Sequence, residues 1–247
     1  MRKLLAPGVL LALTGVALAA ASVLPATAAS AAAARECTAT NGQTCSFGHW
    51  DVYNNTWGPT PGKYVIHARS ASHWSVTADQ NGGGGCGGCA VEAYESAQWN
   101  YKNVRFSAIK KMITSFSETM PTGSLSKNGF DSEANYDMFL HGSDTDEVMV
   151  WVDNQGQSPA GTFDKVAKID GQRFRVYVRG GTKTFVLNHN ETKGTVNYLA
   201  VLTWLHHQGM LKSADTVWQL NFGWEICDTA GKSRVFTVHD LTLRQKL

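Results

Sequence analysis

Once its first 34 residues are set aside, the chain has no surplus of charge of either sign. Arg2 and Lys3 account for the whole excess of 22 basic over 20 acidic side chains. A formally neutral surface offers nothing to attract nucleic acid or an anionic membrane. No Pro- or Ser-rich linker follows residue 36 and no stretch repeats another, so about 210 residues read as one domain, 35–247. The run "GGGGCGGC" lacks a following Gly-Lys-Ser/Thr and is therefore not a phosphate loop. His73, His141, His189 and His239 are scattered without metal-ligand spacing, and His206 and His207 read as surface residues of a helix. Cys37 and Cys45 are not a C-x-x-C pair, which argues against zinc. Neither a metal nor a cofactor is expected. No helix-borne cysteine motif supports a thiol hydrolase either.

The N-terminus is the one segment with a long apolar run. Arg2 and Lys3 precede Leu4 to Leu24, then come Pro25 and the small-residue run "ATAASAAAA". That order is the signature of a secretory signal peptide, residues 1–34, cut between about 28 and 35. A retained membrane anchor fits less well, because Pro7, Gly8 and Gly15 interrupt the stretch. A lipoprotein would need a cysteine directly after it, and the first is Cys37. The expected product is a secreted, extracellular monomer, free of the membrane after cleavage. Export favours disulfides. Cys37 and Cys45 can close one small loop and Cys86 and Cys89 another, which leaves Cys227 as an expected free thiol.

Downstream, short apolar alternations recur between Gly, Pro, Asn, Asp and Ser. They predict strands at 50–57, 63–67, 72–78, 90–94, 105–107, 112–118, 134–141, 147–153, 165–169, 172–178, 182–189, 216–224 and 234–243. Only Thr195–Gln208 approaches a 3.6 period, with Gly209 as its stop. The expectation is all-β: a jelly-roll sandwich of two antiparallel sheets, a concave groove, and one helix packed on the outer face.

Three of these strands carry a carboxylate in mid-strand on the non-core face, each flanked by core-type residues; singly these would read as solvated charge, together they point to a site. In "DEVMVWV" Val148, Val150 and Val152 share one side, while Glu147, Met149 and Trp151 share the other. In "ANYDMFL" Asp137 and Asn135 oppose Tyr136, Met138 and Leu140. In "WQLNFGWEIC" Glu225, Asn221 and Cys227 oppose Phe222, Trp224 and Ile226. "DVYNNTWG" adds Asn55 and Trp57. If these strands line one groove, it holds carboxylates, amides and aromatics together. Indoles stack on sugar rings, amides bond sugar hydroxyls, and paired carboxyls cleave glycosidic bonds.

These motifs resemble glycoside hydrolase family 12, secreted jelly-roll enzymes that cleave β-1,4-glucans with retention. "YNNTWG" resembles the family's Asn-Asn-x-Trp-Gly strand. "NYDMF", "DEVMVWV" and "SPAG" follow its Tyr-Asp, Glu-(Leu/Ile)-Met-Ile-Trp and Pro-x-Gly series in order, and "FGWEI" resembles the segment around its second glutamate. The resemblance runs from about residue 45 to the C-terminus. It implies Glu147 as nucleophile, Glu225 as general acid/base, and Asp137 as the auxiliary carboxylate beside the nucleophile. It also implies Asn55, Trp57, Met149, Trp151 and Asn221 as sugar-binding residues. Two positions depart from it: Asn221, where Gln is frequent, and Cys227, where an aromatic is. The implied activity is hydrolysis of internal bonds in cellulose or a related β-glucan. Two alternatives stay open: a non-catalytic carbohydrate-binding jelly roll, and a relative specific for xyloglucan or mixed-linkage glucan.

Overall fold

The structure, a computed structural model, describes residues 36–57, 62–81, 91–121 and 130–247. All of them belong to one unit, 35–247. The expected signal peptide lies outside the described residues. Among those residues are fifteen strands and one α-helix, in two sheets. The six-stranded sheet runs β1 (Cys37–Thr40), β4 (Lys63–Ser70), β5 (His73–Asp79), β15 (Arg234–Lys246), β7 (Lys111–Thr119), β13 (Lys193–Asn197). One half of the nine-stranded sheet runs β10 (Thr162–Ile169), β11 (Gln172–Arg179), β12 (Thr182–Leu187), β9 (Ser143–Gln155), β8 (Asp131–Leu140). It continues with β14 (Thr216–Asp228), β6 (Tyr94–Arg105), β3 (Trp50–Tyr53) and β2 (Thr44–Phe47).

Local alternation explains the layering. β7 buries Met112, Thr114, Phe116 and Glu118 and turns the residues between them outward. Facing it across the core, β8 contributes Tyr136 and β14 Phe222, whose rings lie 4.6 Å apart. β8 differs from an ordinary two-faced strand, because nine of its ten residues are buried. Its second face is covered by groove residues, so polar side chains there lose water and must find partners within the protein.

The jelly-roll sandwich is as expected, with one correction. The pairing of β12 with β9 is parallel, so the larger sheet is mixed. The connection between β9 and β10 does not reverse the chain, and two hairpins later β12 returns in the same sense as β9. The helix α1 (Tyr198–His207) begins three residues later than its apolar period, because Lys193–Asn197 is taken up pairing with β7. Asn197 caps it, its side-chain oxygen accepting the N–H of Ala200 at 3.2 Å. The Tyr198 hydroxyl donates to the Val148 carbonyl at 2.6 Å, and the Trp204 ring lies 5.5 Å from Phe185. Phe185 is level with Val150, so α1 covers the face of the large sheet turned away from the groove.

The strands at 37–40 and 44–47 carry too short an alternation to be expected, and a Cys37–Cys45 disulfide joins them with a Cα–Cα distance of 5.9 Å. That bond clips an edge of one sheet to an edge of the other. The stretch expected as a strand at 105–107 divides between the end of β6 and a 3-10 turn, Phe106–Ala108.

Candidate active site

Directly opposed residues of neighbouring strands point to the same face, so the register assembles the groove. Glu225 on β14 stands opposite Glu133 on β8 and opposite Tyr94 on β6. Asp137 on β8 stands opposite Asn221 on β14 and Met149 on β9. Glu147, opposite Phe139, is therefore diagonal to Asp137, and Trp151 faces Asn135. Gly223 lies between Asn221 and Glu225, level with Ser96 on β6. A Cβ there would sit 1.8 Å from the Glu95 carbonyl oxygen.

Two adjoining cavities open on this face. One, of about 380 Å³, is lined by Asn55, Trp57, Tyr94, Asp137, Phe139, Glu147 and Glu225. The other, of about 580 Å³, includes Glu147, Met149, Trp151, Gln157, Arg179 and Glu225. Glu147 and Glu225 are the two residues common to both, so the carboxyls stand where the cavities meet. Trp57 is 41% exposed and presents its ring to the groove. Among the described residues the buried Trp151 indole N–H has no hydrogen-bond partner. Seven of the eight sequence-expected residues line these cavities. The eighth, Asn221, is buried beneath them against Asp137 and lines neither.

Burial sets the electrostatics. It pushes the Asp137 carboxyl well above the usual carboxylate range, and the charges of Glu147 and Glu225 add to the shift. Burial also raises Glu225, while a contact with Glu133 pulls it partly back. Glu133 is itself driven well above the usual range, by burial first and then by the charge of Glu225. The Glu133 Oε1 accepts the Asn135 Nδ2–H at 3.1 Å. No N–H or O–H of the described residues reaches its Oε2, and the Glu133 carboxyl as a whole is in contact with that of Glu225.

Glu133 escapes the sequence reading for a simple reason. It falls one residue before the strand expected at 134–141, whereas β8 begins at Asp131. Period two from Asp137 back through Asn135 reaches Glu133, so a strand longer by a few residues brings it to the same face.

The free-thiol expectation for Cys227 is wrong, because the residue is disulfide-bonded. Strand alternation shows which way the sulfur points and says nothing of what meets it there. Its sulfur also accepts the Gln157 side-chain N–H at 3.3 Å, at the edge of the second cavity. The expected Cys86–Cys89 bridge lies outside the described residues. Among the described residues no three His, Cys, Asp or Glu side chains are grouped to hold a metal ion.

No protein-family model matches the sequence, and no curated protein matches it. Solved structures match its fold. A family 12 xyloglucanase from Bacillus licheniformis superposes with a TM-score of 0.71 at 18% identity, over 85% of this chain and 100% of that one. Endoglucanase 3 of Trichoderma harzianum, also of family 12, gives 0.71 at 21% identity, over 86% and 99%. The xyloglucanase domain of NopAA from Sinorhizobium fredii, solved with cellobiose, gives 0.69 at 19% identity, over 85% and 99%. The chain has the family 12 glycoside hydrolase fold. Within that family 12 fold the groove carries four carboxyls on three adjacent strands: Glu147 and Glu225 border both cavities, the nearly buried Asp137 borders the first, and Glu133 borders neither. Such a set can hold protons on its buried members while an exposed member is ionised, which is what acid/base and nucleophilic roles require.

Proposed function

We propose that this protein is a secreted, retaining glycoside hydrolase that cleaves internal β-1,4 bonds of a glucan. The observation that carries the reading is the placement of Glu147 and Glu225. They come from strands far apart in sequence and meet at the junction of the two groove cavities. In this reading the Glu147 carboxylate attacks the anomeric carbon as Glu225 gives its proton to the departing glycosidic oxygen. A glycosyl ester on Glu147 results. The Glu225 carboxylate then takes a proton from water, whose oxygen attacks the same carbon and releases Glu147 with the original β configuration.

Asp137 supports the nucleophile. Two neighbouring carboxyls in a desolvated site do not both ionise readily, and Asp137 is the more deeply buried. It holds the proton and leaves Glu147 charged. The raised Glu225 stays protonated beyond the ordinary carboxylate range, so the rate should form a bell on the acidic side of neutrality. Asn55 and Trp57 bind sugars on one side of the cleavage point, and Met149 and Trp151 line the groove on the other. Export is supported by the N-terminal pattern and by the disulfide bonding of Cys37, Cys45 and Cys227.

The test is reducing-sugar release from carboxymethyl cellulose, xyloglucan and mixed-linkage glucan, with NMR of the anomer first formed. Release of β-anomer supports the assignment. Binding without release means a carbohydrate-binding module, and first release of α-anomer means an inverting mechanism.

A further inference from the structure

Glu133 is used by none of the steps above, yet it is fully buried and directly opposite the acid/base. Opposed residues of an antiparallel pair have Cβ atoms about 4.5–5.5 Å apart, close enough for two glutamate carboxyls to meet. The groups bearing on it are Glu225, directly opposite on β14, and Asp131 on its own strand, with Tyr94 on β6 beyond Glu225 and the neutral Asn154 level with it on β9. Asp153, also on β9, is level with Ala134 and so turns to the opposite face. Among the described residues these neighbours include no cation; Arg179 lines the second cavity with Glu225, and Glu133 borders neither cavity.

Two buried, opposed carboxyls with no cation between them among the described residues hold at least one proton. Exposure decides where it resides. Glu225 borders both cavities, where water and substrate solvate a charge, whereas Glu133 has no exposed surface. Within Glu133, Oε1 is already an acceptor for Asn135, and Oε2 is the atom without a donor. A proton on Oε2 satisfies both carboxyls at once.

Resting on the glycosidase reading above, we propose that Glu133 is a positioning residue for the acid/base: it keeps its own proton and donates it as a hydrogen bond to Glu225. When Glu225 gives up its proton to the leaving oxygen, the charge left on it is met by the Glu133 O–H. Glu225 is thereby a stronger acid than burial alone permits, and its carboxylate is aimed for its later work on water. The groove then holds two parallel devices, Asp137 behind Glu147 and Glu133 behind Glu225.

The experiment combines pH profiles of kcat/KM with infrared difference spectra. Glu133→Gln is isosteric with the protonated acid; its amide oxygen accepts from Asn135 and its N–H donates to Glu225. The alkaline limb of its profile should stay within about half a unit of the wild type. Glu133→Leu removes the donor, so the limb should move up by about one unit, and poor leaving groups should suffer more than activated ones. A downward shift in Glu133→Gln means that Glu133 was a charge, and an unmoved limb in Glu133→Leu means that it is not coupled. Either overturns the proposal. The infrared difference, wild type minus Glu133→Gln in mildly acidic solution, should show the C=O stretch of one protonated carboxyl. Its absence overturns the proposal even if the leucine variant does not fold. That spectrum needs no substrate, so a wild type inactive on every glucan would sink the glycosidase reading while leaving the proton on Glu133 measurable.

Discussion

The large sheet buries carboxyls toward both of its faces, and the two sets behave differently. Toward the groove stand Glu133, Asp137, Glu147 and Glu225. On the core side stand Glu95 on β6, level with Trp224, and Glu118 on the facing β7. Burial raises Glu95 well above the usual range. It pushes Glu118 up to about 8, with the charge of Asp153 adding to it. The Trp224 indole N–H beside Glu118 opposes the shift without reaching hydrogen-bond geometry. Neither Glu95 nor Glu118 has a hydrogen-bonded side-chain oxygen, and neither borders either groove cavity. A perturbed carboxyl therefore does not make a site by itself. What separates the groove set is that its members meet one another and that three of them border a groove cavity.

The sharpest way to break this comparison is to remove the two carboxyls that border both cavities. Glu147→Gln and Glu225→Gln should each lower turnover by about 10²–10⁴-fold or more with thermal midpoints close to wild type. Near-normal rates in either would reduce the groove set to the same standing as the core set. Azide separates the roles: Glu225→Ala on an activated aryl glycoside should yield a β-glycosyl azide, and Glu147→Gly an α-azide. The reverse outcome would exchange the two assignments.

Asp137→Asn should cost less, about ten- to a hundredfold in kcat/KM, the range of a lost hydrogen bond to a charged group. The loss should fall mainly on formation of the glycosyl-enzyme, read from pre-steady-state bursts. A loss confined to its breakdown would place Asp137 behind Glu225 instead.

Gly223→Ala tests the groove through its backbone. The new methyl meets the Glu95 carbonyl, so β14 must shift against β6 and carry Glu225 with it. Overpacking of this kind costs about 1–3 kcal/mol, and the thermal midpoint should fall by several degrees along with the rate. An active, fully stable variant would show that the strand spacing is not critical.

The smallest effect on activity belongs to the core set. A carboxyl raised in the folded state contributes stability that is complete below its unfolded pKa and is lost as pH rises through the folded one. For Glu118 that window runs from about 4.5 to about 8. Glu118→Gln should flatten the fall of the thermal midpoint over this window and leave kcat/KM unchanged. A clear loss of activity would tie the core face to the chemistry and erase the distinction drawn above.

Much of this molecule is legible in one dimension because strand alternation is local geometry. Val148 and Trp151 point to opposite faces wherever β9 lies, and the same holds for Asp137 against Tyr136 and for Glu225 against Trp224. From that periodicity alone come the all-β class, the polar face, and three of the four groove carboxyls. Tertiary structure decided the rest. Strand neighbours and register depend on packing between segments distant in sequence, which no local pattern encodes. Only the fold sets Glu133 opposite Glu225, buries both faces of β8, turns β12 parallel to β9, and meets the Cys227 sulfur with a bond partner. Which carboxyl keeps its proton was decided there too, because that depends on what shuts out water from the side the sequence leaves open.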